Sequence, residues 1–147
     1  MPAKIIIEEV QTPEALRQAQ TIREHVFVVE QGIPRELEHD GLDAASIHVL
    51  AFDDGAPAAT GRLTLSSDRE GILARIVVLP AYRGQGLGKR VVQHLEALAR
   101  REGLATVSLK PHQYLEDFYQ KMGYTTVPGS FSTVGPHPLI TMTKPLS

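Results

Sequence analysis

Residues 76–89 read I-V-V-L-P-A-Y-R-G-Q-G-L-G-K. A short apolar run ends at Pro80, glycines alternate at Gly84, Gly86 and Gly88, and an amphipathic helical pattern starts at once. Glycine has no Cβ, so the backbone can turn tightly and come close to a ligand. A helix that begins at such a turn presents free N–H groups and the positive end of its dipole. The combination suits a phosphate or pyrophosphate. Spacing excludes two phosphate loops. The mononucleotide P-loop puts four residues between its glycines and follows them with Lys-Ser/Thr. Here three residues separate Gly84 from Gly88, and Lys89 is followed by Arg90, which has no hydroxyl for Mg²⁺. The dinucleotide fingerprint G-x-G-x-x-G would need glycine at position 89, and its strand usually opens a domain, whereas about half of this chain precedes the loop.

Working outward, residues 4–10 form an isoleucine-rich strand. Thr12 caps a helix that has Pro13 at its first position. Leu16, Ala19, Ile22, Val26 and Val29 follow at helical spacing until Gly32 and Pro34 stop it. After a polar loop to Ser46, strands are expected over residues 47–52 and 58–65, joined by the turn Asp53-Asp54-Gly55. Residues 72–79 form the strand that feeds the glycine loop. Leu87, Val91, Leu95 and Leu98 line one face of the next helix, with Gly103 closing it. A strand over residues 106–109, a short helix over 114–121, and strands over 124–127 and 137–143 complete the chain. The expected class is mixed α/β: one domain over residues 1–147, built around one central sheet.

The 147 residues are 42% hydrophobic, which suits one globular core. No apolar run reaches the ~20 residues of a membrane span, and Ile5-Ile6-Ile7 is too short for a signal peptide. Cysteine is absent, so a thiolate metal site and a cysteine nucleophile are excluded. The cytoplasm is the expected location, and no metal is expected. A net charge of −2 argues against nucleic-acid binding.

The pattern R/Q-x-x-G-x-G/A, met by Arg83, Gly86 and Gly88 after Pro80, resembles the acetyl-coenzyme A loop of the GNAT N-acetyltransferase superfamily. The element order resembles that family over essentially the whole chain. The resemblance implies a mostly antiparallel central sheet with helices on both faces, and acetyl-CoA as co-substrate. It implies that Ile76, Val77 and Val78 pair with the pantetheine arm. It also implies that Arg83, Gly84, Gln85, Gly86, Leu87, Gly88 and Lys89 form the pyrophosphate loop. Residues 118–124, F-Y-Q-K-M-G-Y, resemble the family's F-Y-x-K-x-G-F/Y element, which implies Tyr119 as the acid facing the thioester sulfur and leaves Phe118 to the core. Residues 23–32 resemble small GNAT proteins of the ElaA type, and dimers are common among proteins of this kind.

Amide formation needs a neutral amine, yet a primary amine with pKa near ~10 is protonated at pH 7, so a base must take its proton. Many relatives carry a glutamate on the strand before the loop. That strand has no carboxylate here. Residues 134–137, V-G-P-H, resemble a G-P-H segment whose histidine is the base in some small-molecule acetyltransferases, which points to His137. An imidazole with pKa near ~6.5 suits the task, and His48 and His112 are rivals that could line the pocket. Glu36, Glu38, Asp40 and Asp43 could draw in a cationic amine. Arg23 and Arg75 could instead hold an anionic group on the acceptor, or pair with the acidic loop. The expected activity is acetyl transfer to a primary amine of a small molecule by direct attack. An acyl-CoA sensor and a peptide or protein N-acetyltransferase are the alternatives.

Overall fold

In the computed structural model, which describes residues 4–146, the chain runs β1 (Ile5–Glu9), α1 (Pro13–Arg23), α2 (Arg35–Glu38), β2 (Ile47–Asp53), β3 (Ala56–Leu65), β4 (Glu70–Val78), α3 (Leu87–Arg101), β5 (Thr106–Leu109), α4 (Glu116–Gln120), β6 (Thr125–Thr126), β7 (Ser132–Val134), β8 (His137–Leu139) and β9 (Met142–Pro145). The start Met1-Pro2-Ala3, part of the signal-peptide reading, lies outside the described residues. A seven-stranded sheet takes the order β1-β2-β3-β4-β5-β9-β6, and β7 pairs with β8 apart from it. Among the described residues, only the β4–β5 pair is parallel.

Strand alternation divides the core between two faces. Val49 and Ala51 pack with Val91, Val92 and Leu95 of α3, whereas Leu50 and Val77 pack with Ala19 and Ile22 of α1. Helices therefore cover both faces. Gly61 sets how close α3 can lie, because a Cβ there would stand 2.8 Å from Leu95 Cδ1 and 2.8 Å from Val91 Cγ1. Gly61→Ala should overpack this contact and cost about 1–3 kcal/mol. Thermal unfolding checks this, and an unchanged Tm would mean that α3 can shift freely.

Thr12 caps α1 as its sequence implies: its hydroxyl accepts from the Ala15 N–H at 3.0 Å. The helix then widens into a π-helical segment, Glu24–Glu30. Its wider turn shifts the phase of the apolar stripe. Val29, expected on the buried face, is 69% exposed, and Phe27 is turned toward the interior. Near the C-terminus, the single strand expected over residues 137–143 is two, β8 and β9, which belong to different sheets.

Two local features open the sheet. Thr60 pairs with Val77 and Arg62 with Ala74, so Arg75 and Ile76 bulge opposite Gly61. Arg75 sits there at φ +56°, a left-handed conformation unusual outside glycine. On the other side, β4 pairs with β5 only as far as Leu73 with Leu109. Pro111 has no N–H with which to continue the ladder, and His112 bridges to Leu139 instead. Residues 74–78 of β4 are thus left without a strand partner on the β5 side among the described residues.

Candidate active site

The glycine loop leaves its donors free. Among the described residues, no acceptor meets the backbone N–H groups of Gly84, Gln85, Gly86, Leu87, Gly88 or Lys89, and the first helical bond of α3 runs from Arg90 N–H to Gly86 C=O at 3.2 Å. Gly84 (φ +78°) and Gly86 (φ +76°) hold the left-handed turns that converge these donors. Open space lies where a Cβ would stand at either position. Arg83 does not face outward for an anion. It donates to Val78 C=O at 2.9 Å and to the Glu30 carboxylate at 2.7 and 2.8 Å, tying the loop to the π-helical segment. The free donors fit a pyrophosphate, and the unpaired edge at residues 74–78 fits an extended amide-bearing arm.

Where β4 and β5 part lies a cavity of about 350 Å³. Ile76 and Tyr119 line it, as do His112, Arg75 and Arg62. Tyr119 is buried between Phe118 and Tyr124, with ring centroids 5.0 and 5.6 Å away in edge-on contacts. Its hydroxyl takes no part in the side-chain hydrogen bonds of this cluster among the described residues, which run from Tyr124 and Lys144 to Glu96. Burial pushes the phenol well above its ordinary range, so it stays protonated near neutrality. Phe118, expected in the core, is 37% exposed instead. Tyr124 donates to Glu96 at 2.7 Å, and Lys144 closes that buried cluster at 3.2 Å.

The histidines fall into two places. His137 Nε2–H donates to Gln31 C=O at 2.8 Å, which leaves Nδ1 with the lone pair in the neutral ring. The His112 ring lies 4.8 Å from it, centroid to centroid, and lines the cavity itself. Burial and the neighbouring His137 lower the His112 pKa, favouring the neutral base. His48 is elsewhere, buried on β2, with Nε2–H donating to Asp43 C=O at 2.9 Å.

The charged residues meet one another. Arg23, buried with Glu38, makes bonds of 3.0 and 2.8 Å to it and reaches Asp43 at 2.9 Å. Arg62 spans Asp40 at 2.7 Å and Asp43 at 3.0 Å. Arg75 holds Glu38 at 2.8 Å and Asp40 at 3.2 Å, and also donates to the carbonyls of Leu37 and Glu38. Burial raises the Asp43 pKa, but bonds from Gln20, Arg23 and Arg62 outweigh this and hold it far below the usual carboxylate range. These pairs fix the loop between α1 and β2, and brace the strained Arg75 in the bulge. Arg62 was missed as a partner. Its signal is a charge inside the apolar strand A-A-T-G-R-L-T-L, where a buried arginine requires carboxylates.

Comparison with known proteins bears on the family and the fold. The model of the acetyltransferase (GNAT) family matches residues 14–124. The uncharacterised N-acetyltransferase YjcF of Bacillus subtilis (strain 168) is 37% identical over 111 residues, which are 76% of this chain and 79% of that protein. Among solved structures, an acyl-CoA N-acyltransferase from Pseudomonas aeruginosa superposes with a TM-score of 0.85 at 29% identity, covering 97% of this chain and 99% of that one. ElaA of Escherichia coli gives a TM-score of 0.84 at 26% identity, covering 96% and 99%. With the free-donor loop, the splayed strands and a family match over most of its length, the chain is an acyltransferase and belongs to the GNAT family.

Proposed function

We propose that this chain, acting as one domain, moves an acetyl group from acetyl-CoA to a primary amine on a small molecule. The observation that carries the reading is the cavity at the β4–β5 splay, where the Tyr119 phenol and the His112 imidazole line one space. Residues 84–89 would hold the pyrophosphate, and the free edge at 74–78 would hold the pantetheine arm. The amine nitrogen attacks the thioester carbonyl carbon. As the C–N bond forms and the C–S bond breaks, the amine proton passes to imidazole and Tyr119 donates to the departing sulfur. Solvent then returns both groups to their starting protonation.

The imidazole that best fits the proton-accepting role is His112, because it faces the cavity and carries no hydrogen bond among the described residues. His137, the base suggested by the G-P-H resemblance, stands behind it with its tautomer set by Gln31. The pH dependence of kcat/KM tests the assignment. A base works deprotonated, so activity should fall as pH drops through the lowered His112 pKa, below the ordinary ~6.5. His112→Gln should cut kcat/KM by roughly 10²-fold and remove that acid limb. His137→Gln should keep the limb and shift it. The reverse pattern would make His137 the base.

A further inference from the structure

On either charge reading of the sequence, the acidic loop or the arginines would recognise the acceptor. In the fold each spends its charge on the other. Glu38 is taken by Arg23 and Arg75, Asp40 by Arg62 and Arg75, and Asp43 by Arg23 and Arg62. Glu36 lies outside the cavity lining. What the acceptor side of the cavity offers besides these paired charges is apolar: Phe27 from the π-helical segment, Leu37 from α2, Ile33 and Leu42 from the loops beside it, and Val134 and Leu139 from the β7–β8 hairpin. Leu37 is 51% exposed and Leu42 43% exposed, although both line the cavity, so its rim is apolar as well as its wall. The lining charge without an ion-pair partner among the described residues is Lys110, which is positive. It disfavours a second cation on the acceptor. The whole cavity, which the thioester end would share with the acceptor, is about 350 Å³, near the small end of ligand pockets.

We infer that the acceptor is a small primary amine on an apolar aryl or alkyl body, with no second cationic centre. Polyamines, aminoglycosides and lysine in a cationic peptide are then poor acceptors. This inference rests on the acetyl-transfer reading for its chemistry, but its recognition part can be measured without turnover. Ion pairs that are already satisfied neither attract nor bind a ligand charge strongly, whereas apolar walls favour a partner that removes them from water.

The test has two readouts on the full chain. The first is CoA release from acetyl-CoA with 2-phenylethylamine, hexylamine, spermidine and kanamycin. The second is calorimetric binding of the same amines to the protein saturated with CoA. The two apolar amines should exceed spermidine and kanamycin at least tenfold in kcat/KM and in affinity. Leu37→Asp, at an exposed position that does not threaten folding, should reverse the order by lowering 2-phenylethylamine about tenfold and raising spermidine. Tighter binding or faster turnover of spermidine or kanamycin by the unaltered protein would overturn the inference, as would failure of every amine to bind. Selective binding of the apolar amines without CoA release would uphold it while removing the acetyl-transfer reading.

Discussion

Tyr119→Phe is expected to lower kcat by about 10²-fold or more while leaving the KM for acetyl-CoA and the Tm nearly unchanged. The substitution removes one oxygen from a ring held by Phe118 and Tyr124, so packing survives. It also takes from the cavity a hydroxyl that has no other partner among the described residues. Burial keeps that phenol protonated well beyond neutral pH. A coenzyme A thiolate, like other thiolates with pKa near ~8.5, needs a donor more than a strong acid. In a dry site a hydrogen bond to developing charge counts for more than it would in water. Steady-state kinetics with acetyl-CoA and an active amine check this. A variant within threefold of the parent would remove Tyr119 from the reaction.

Glu38→Gln should destabilise the protein by about 3–5 kcal/mol, or roughly 10–20 °C in Tm. Glu38 is buried and serves both Arg23 and Arg75. Gln keeps the shape and removes the charge, leaving two guanidiniums short of a partner. The bulge should suffer too, because Arg75 holds its left-handed backbone against the loop. Calorimetry measures the shift, and a loss below about 3 °C would mean that the Glu38 charge contributes less than about 1 kcal/mol. The same cluster gives a pH signature. His48 is depressed by burial, so its share of stability is full above the unfolded ~6.5 and is lost as pH falls through the lower folded value. Asp40 and Asp43, also depressed, add a second loss as pH falls below about 4. Stability should therefore start to decline as pH falls below about 6.5, ahead of the loss from the carboxylates.

The elements that followed their sequence patterns are the ones whose causes are local. Thr12 and Pro13 start α1 because a hydroxyl three residues away can reach an orphan N–H. Leu87, Val91, Leu95 and Leu98 bury together because they share one helix face. Asp54 and Gly55, both at positive φ, turn the β2–β3 hairpin as their residue types allow. Val29 departs because a π-helical widening is not visible in apolar spacing. The split of residues 137–143 into β8 and β9 departs because it depends on which neighbour each half finds.

The sequence alone determined the fold class and the glycine turn with its free donors, since a glycine turn opening an amphipathic helix carries its own geometry in adjacent residues. It also named Tyr119, His137 and His112 as candidates, though not which of them would share a cavity. Only the tertiary structure decided how the charges and cavities fall. Glu38 meets Arg75 across 37 positions of chain, His112 meets His137 across the β8 bridge, and the cavity exists because β4 and β5 part after Leu73 and Leu109. Such contacts join distant segments, and a charge is neutralised or left free by the partner that folding brings to it, not by its neighbours in sequence.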